Sequence, residues 1–76
     1  MNRKTIDEDE LASYPIRDLV EGWFFRITEV SMNVYRVEGI DHVGRTVSRV
    51  GNEFELNDLL QLCARDAEEI KRAVGE

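Results

Sequence analysis

Apolar and polar residues alternate along the middle of the chain with the two-residue period of a β-strand. Trp23, Phe25 and Ile27 fall on one side of the first run. Two turn sequences divide the run. Residues 30–33 end in Asn33, which suits a left-handed bulge position, and residues 41–44 begin with Asp and end with Gly. The pattern predicts three antiparallel strands, the second over 34–40 and the third over 45–50.

Short turns of this kind also fix how the strands pair. The predicted pairs are Ile27–Val37, Arg26–Glu38, Thr28–Arg36, Asp41–Arg45 and Gly39–Val47. One face of the sheet then collects Trp23, Phe25, Ile27, Tyr35, Val37 and Val47, and we expect it to carry the core. A slip of one residue would bring Arg36 and Glu38 onto that apolar face, which is costly.

Helical spacing is clearest after the sheet. The apolar residues there recur at steps of three and four along one face, and they are Leu56, Leu59, Leu60, Cys63, Ala67, Ile70 and Val74. Asn52 is a suitable cap, with Asn57 as a later alternative, and Gly75 is placed to end the helix. The pattern predicts a long C-terminal helix.

A second, shorter helix is predicted before the sheet. Pro15 is tolerated in a first helical turn, Ile16, Leu19 and Val20 form a stripe, and Gly22 suits a left-handed helix end. Residues 1–12 are mostly polar and indicate a flexible acidic arm. Within this arm, residues 5–8 fit the pattern of a capping box.

These elements together predict an α+β fold. We expect one domain over 13–76, with a helix, a three-stranded antiparallel meander in the order 1-2-3 and a long C-terminal helix. A three-stranded sheet does not stand alone, so we expect both helices to cover the same face of it.

Composition and charge narrow the function classes. The 76 residues carry a net charge of −6, and residues 52–76 hold seven acidic residues against Arg65, Lys71 and Arg72. The single cysteine excludes an internal disulfide, and no apolar run approaches the ~20 residues of a membrane span. We therefore expect a cytoplasmic protein that binds neither membranes nor nucleic acid.

The order of helix, three strands and helix resembles the topology of double-stranded-RNA-binding domains. Domains of that kind contact phosphates through a lysine-rich start to the second helix. The matching stretch here, residues 52–58, has three acidic residues and no basic one. The resemblance is therefore one of topology alone, and the charge argues against RNA binding.

Candidate catalytic residues are few. His42, the only histidine, falls at a turn tip, and Cys63 falls on the buried stripe of the last helix. No Cys or His pair has metal-ligand spacing, and the acidic run over 7–10 lacks the glycine of a calcium loop. We expect no enzyme activity, no metal and no cofactor.

The outer face of the sheet is unusual for a water-facing surface. It is expected to expose Phe24, Val30, Val34, Ile40 and Val50 around Arg26 and Arg36. Aromatic residues and arginine are enriched at protein interfaces. The candidate interaction residues are Phe24, Arg26, Val34, Arg36 and Ile40; an ordinary sheet face with an Arg26–Glu38 ion pair is the alternative.

The sequence thus favours a small interaction module that binds another protein, or itself as a homodimer, through the outer sheet face. The exposed strand edges offer a second route, by strand addition. The alternative is a small acidic inhibitor of the immunity-protein or antitoxin type, whose acidic face covers a basic site on a partner enzyme.

Overall fold

The computed structural model describes residues 8–75. A short helix, Glu8–Leu11 (α1), comes first and is followed by a non-helical segment. The strands are Trp23–Ser31 (β1), Val34–Asp41 (β2) and Thr46–Asn52 (β3). One 3-10 turn, Glu53–Glu55, leads into the long helix Leu56–Ala73 (α2).

The strands form one antiparallel sheet in the order β1-β2-β3. This confirms the predicted α+β fold with its meander and long C-terminal helix. Every predicted pair within the ladders is observed, including Ile27 with Val37 and Gly39 with Val47. At the second turn the Asp41 amide donates to the Arg45 carbonyl over 3.1 Å, so that pair is present too.

The two turns use the residues that the sequence pattern indicated. Asn33 has φ 60° and Gly44 has φ 93°, both in the left-handed region. The Asp41 carboxylate accepts the backbone amides of Val43 and Arg45 at 3.0 and 2.9 Å and forms an ion pair with the Arg45 side chain. These local bonds fix the second hairpin.

The main core lies between α2 and one face of the sheet. Its buried members are Val20, Trp23, Phe25, Val37, Val47, Leu59, Cys63 and Ala67. The odd-numbered strand residues therefore point at α2, as predicted. Because α2 lies mainly over β2 and β3, Ile27 on the far strand stays 38% exposed.

The 3-10 turn that leads into α2 is closed by a capping box. The Asn52 side chain accepts the Phe54 amide at 2.9 Å, and the Glu55 carboxylate accepts the Asn52 amide at 2.9 Å. Asn57, the later alternative, lies inside the helix. Gly75, with φ 80°, follows the last turn as expected.

The predicted helix over 13–22 is not formed. Pro15 disfavours helical geometry at Tyr14, and the next residue, Ile16, pairs instead with Phe25 across the outer edge of β1. Their backbone groups exchange hydrogen bonds of 3.0 and 2.8 Å. Gly22 is left-handed with φ 84°, but it serves a tight turn in which the Trp23 amide bonds the Val20 carbonyl.

The short helix α1 lies on the side of the sheet opposite to α2. Leu11 and Tyr14 are buried with Ile40 in a second cluster, against which Phe24 packs. The expectation that both helices share one face is therefore corrected. Residues 5–7 of the capping box expected over 5–8 lie outside the described residues, and the division into an arm over 1–12 and a domain over 13–76 stays a prediction.

Candidate functional site

The outer face of the sheet has a covered half and an open half. Residues 8–17, which we call the strap, cross the half near the second turn. Under the strap Ile40 is only 4% exposed and Phe24 is half-buried. The expectation that Ile40 is exposed is therefore wrong, because Leu11 and Tyr14 cover it.

Arg26 ties the strap to the sheet. Its Nε donates to Glu38 Oε1 over 2.9 Å, and its guanidinium carbon lies 4.3 Å from the centre of the Tyr14 ring. Its Nη1 also donates to the Ser13 hydroxyl over 3.3 Å. The hydrogen bond to Glu38 raises the pKa of Arg26 above its ordinary value. This arginine is engaged within the chain.

Phe24 has contacts within the chain as well. The Arg17 guanidinium lies 5.1 Å from the centre of the Phe24 ring, and the His42 ring meets it edge-on at 5.1 Å between centroids. Phe24, Arg26 and Ile40 thus belong to the covered half. Val34 and Arg36, the other two candidate residues, lie outside it.

The open half ends in a cluster that we call the turn-end patch: Met32, Val34, Arg36, Val50 and Phe54. Arg36 pairs with Val50 across the β2–β3 ladder, and both are exposed. Met32 and Phe54 are 83% and 89% exposed. They flank the 3.2 Å hydrogen bond from the Glu53 amide to the Asn33 carbonyl, so they lie at the same end of the sheet.

The sequence pattern did not identify Met32 and Phe54 as interaction residues, because Met32 lies in the first turn and Phe54 in the 3-10 turn before α2, outside the strand alternation. A signal for Phe54 exists, however. The stripe of α2 begins at Leu56, and a residue two positions earlier projects to the opposite side of the helix. An aromatic residue at that position indicates an exposed ring.

The candidate catalytic residues show no reactive arrangement. Cys63 is fully buried, and its thiol donates to the Val37 carbonyl at 3.5 Å. Loss of hydration raises the pKa of the thiol to about 11. His42 is exposed and contacts Phe24.

A small hollow of about 160 Å³ lies beside the second turn, between Gly22, Asp41, His42, Val43 and Arg45. Its volume is below the ~300 Å³ at which ligand pockets usually start. The Asp41 carboxylate on its wall is occupied by two backbone amides and the Arg45 side chain. The hollow therefore offers little to a small ligand.

Among residues 8–75, no three His, Cys, Asp or Glu side chains gather so as to hold a metal ion. No helix in that part of the chain combines the length and apolar character needed to cross a membrane.

Comparisons with protein-family models, with curated proteins and with solved structures return no match. The proposals below therefore rest on the geometry of the described residues.

Proposed function

We propose that this chain is a protein-interaction module that binds a partner protein, or a second copy of itself, through the open half of the outer sheet face. The observation that carries the proposal is the exposure of Phe54 and Met32 at the end of the sheet where the exposed Arg36 also lies. Aromatic residues, methionine and arginine are the types enriched at interface centres.

The rest of the outer face supports this placement. Ile40 and Phe24 of the covered half pack under the strap, whereas Met32, Val50 and Phe54 of the turn-end patch are exposed. Fully burying a phenylalanine side chain contributes roughly 1.5–3 kcal/mol, so Phe54 would serve as the anchor in a pocket of the partner.

A binding experiment with matched variants tests the proposal. The full chain, immobilised, is used to capture partners from the native host, and the captured protein is then purified for direct titration. We expect Phe54→Ser and Arg36→Glu each to weaken binding at least about tenfold. Leu19→Ser, at another exposed apolar residue (39%), should bind like the wild type.

If the turn-end patch binds a second copy of the chain, the molecular mass in solution will reveal it. Light scattering after size exclusion at two concentrations would show a lower mass for Phe54→Ser than for the wild type. Ile40→Lys is unsuitable as a probe because it would place a charge under the strap. Equal binding by wild type, Phe54→Ser and Arg36→Glu would overturn the proposal.

The acidic-inhibitor alternative concerns the start of α2, where Glu53 and Asp58 are exposed. Glu55 is engaged in the capping box, so charge reversal there would disturb the helix. Reversal at Glu53 and Asp58 should abolish binding to a basic partner and leave binding through the turn-end patch unchanged.

A further inference from the structure

Among residues 8–75, one edge of the sheet is covered by another segment of the chain and the other edge has no paired strand. The outer edge of β1 is bridged at Phe25 by Ile16, which takes both backbone groups of that residue. At the outer edge of β3, no strand from residues 8–75 pairs. An uncovered edge is a template for a further strand.

The alternation of hydrogen-bonded and non-bonded pairs between β2 and β3 shows which backbone N–H and C=O groups of β3 point away from β2. The Asp41 amide bonds the Arg45 carbonyl, and β2–β3 pairs alternate between bonded and non-bonded. The odd-numbered residues of β3 therefore face β2. The even-numbered residues Thr46, Ser48 and Val50 turn their N–H and C=O groups to the free edge.

Two further observations agree with this parity. The Asn52 amide, at the next even position, is bonded to the Glu55 side chain and not to β2. Phe25 bonds outward to Ile16, so its cross-strand neighbour Gly39 must bond towards β3, where its partner is Val47. The free part of the edge therefore runs from Thr46 to Val50.

This edge lacks the usual devices against strand pairing. Residues 46–50 contain no proline, and their pairing with β2 is regular. The one charge in this stretch, Arg49, is held inward by a double contact to Asp66 on α2, at 3.0 and 3.1 Å. The Arg49 charge is thus paired on the α2 side of the sheet and does not block the free edge of β3.

We propose that the occupant of this edge is β3 of a second copy of the chain, paired antiparallel about a two-fold axis at Ser48. In that register Ser48 faces Ser48 of the partner copy and Thr46 faces Val50, so all three free residues bond. Arg49 then lies opposite Val47 of the partner copy, and no like charges meet.

The neighbouring registers are less favourable. An axis at Arg49 would place the two Arg49 residues directly opposite each other in a close, non-bonded pair. An axis at Val47 would set Arg45 against Arg49. The axis at Ser48 is therefore the register in which all three free residues bond and no two arginines lie opposite each other.

The position of α2 is compatible with the paired sheet. Both copies of α2 would lie on the same side, because the two-fold axis is perpendicular to the sheet. Since α2 lies mainly over β2 and β3, strand spacings of about 4.8 Å put the two helices roughly 10 Å apart. That is near the 8–10 Å of packed helices.

Amide hydrogen exchange of the full chain, followed by NMR at concentrations from about 0.01 to 1 mM, tests the pairing at single residues. We expect the Thr46, Ser48 and Val50 amides to exchange more slowly as concentration rises. The amides of Val47 and Arg49, which already bond β2, should show little change. Exchange at Thr46, Ser48 and Val50 that does not depend on concentration would overturn the proposal.

Sedimentation equilibrium with two matched variants supplies the second measurement. Ser48→Lys places like charges at the axis and should raise the dimer dissociation constant roughly tenfold. Thr28→Lys, at an exposed position of the same face on β1, should leave it unchanged. Equal dissociation constants for the two variants would also contradict the edge pairing.

The edge pairing and the proposed function fail separately. Phe54→Ser and Arg36→Glu should leave the edge dimer intact while they weaken binding through the turn-end patch. Each copy also carries a charge of −6, so added salt should tighten the edge dimer. Salt would instead weaken the binding of an acidic inhibitor to a basic partner.

Discussion

Gly39 shows how closely single positions are constrained in this small core. A methyl group at Gly39 would lie within 2.6 Å of two ring carbons of Phe25 and 3.0 Å from a methyl of Val47. Phe25 is fully buried, so its ring has little room to move. The glycine lets the aromatic ring lie flat across β2.

Gly39→Ala should therefore destabilise the fold by roughly 1–3 kcal/mol, because the added methyl overpacks the core. Urea unfolding followed by Trp23 fluorescence measures the change. Thr28→Ser, on an exposed strand position of β1, is the matched control and should change the free energy of unfolding by less than ~0.5 kcal/mol. Equal stability of Gly39→Ala and the wild type would contradict the close approach.

Ionisation of the buried Cys63 thiol makes the free energy of unfolding depend on pH in the alkaline range. Burial raises the pKa of the thiol from 9.0 to about 11, so the folded state keeps its proton where the unfolded state has lost it. The contribution of the protonated Cys63 thiol to the free energy of unfolding is fully present below about pH 9 and is lost as pH rises towards 11. The free energy of unfolding should fall by roughly 1–3 kcal/mol over this window.

The comparison with Cys63→Ala isolates the thiol, because the two proteins differ only at this side chain. Urea unfolding at pH 8, 9, 10 and 11 gives the two pH profiles. The wild type should lose more stability than Cys63→Ala. Parallel profiles would show that the thiol ionises equally in both states.

At the scale of elements, the start of α2 depends on one side chain from β3. Asn52 ends the strand and caps the 3-10 turn that continues into the helix, and Glu55 completes the capping box. Asn52→Ala should destabilise the fold by about 1 kcal/mol. Asn57→Ala, inside the helix, should be neutral or slightly stabilising because alanine favours helix. Chemical unfolding of both variants decides between the two asparagines as caps.

The elements also show where sequence reasoning succeeds. The hairpin registers follow from residues close in sequence, such as Asn33 and Gly44, and these were predicted correctly. The segment before β1 was not, because its conformation depends on distant partners: Ile16 pairs with Phe25, and Tyr14 packs on Ile40. An apolar stripe at helical spacing cannot reveal such contacts, and so the covered half of the candidate site was missed.

At the scale of the whole molecule, the sheet is packed on both faces by unequal layers. The α2 side buries eight residues in one cluster, whereas the strap side buries three. The smaller layer is held by the Ile16–Phe25 bridge and the contacts of Arg26 with Tyr14 and Ser13. Such a layer opens with a smaller free energy than the core.

Native-state hydrogen exchange should therefore show two levels of protection. We expect the Ile16 amide to exchange through an opening at least ~1 kcal/mol below global unfolding, and the amides of the central strand β2 only through global unfolding. Tyr14→Ala should lower protection at Ile16 much more than at Val37. Equal protection of Ile16 and Val37 in the wild type would show that strap and core unfold as one unit.

The junction between β3 and α2 has a consequence for how the chain tolerates change in length. Because Asn52 ends β3 and caps the 3-10 turn that continues directly into α2, no flexible linker separates the sheet from the helix. One residue inserted between Val50 and Leu56 would rotate every later side chain by about 100° around the helix axis. Cys63 and Leu59 would swing away from the sheet, so this short link sets the phase of the whole helix.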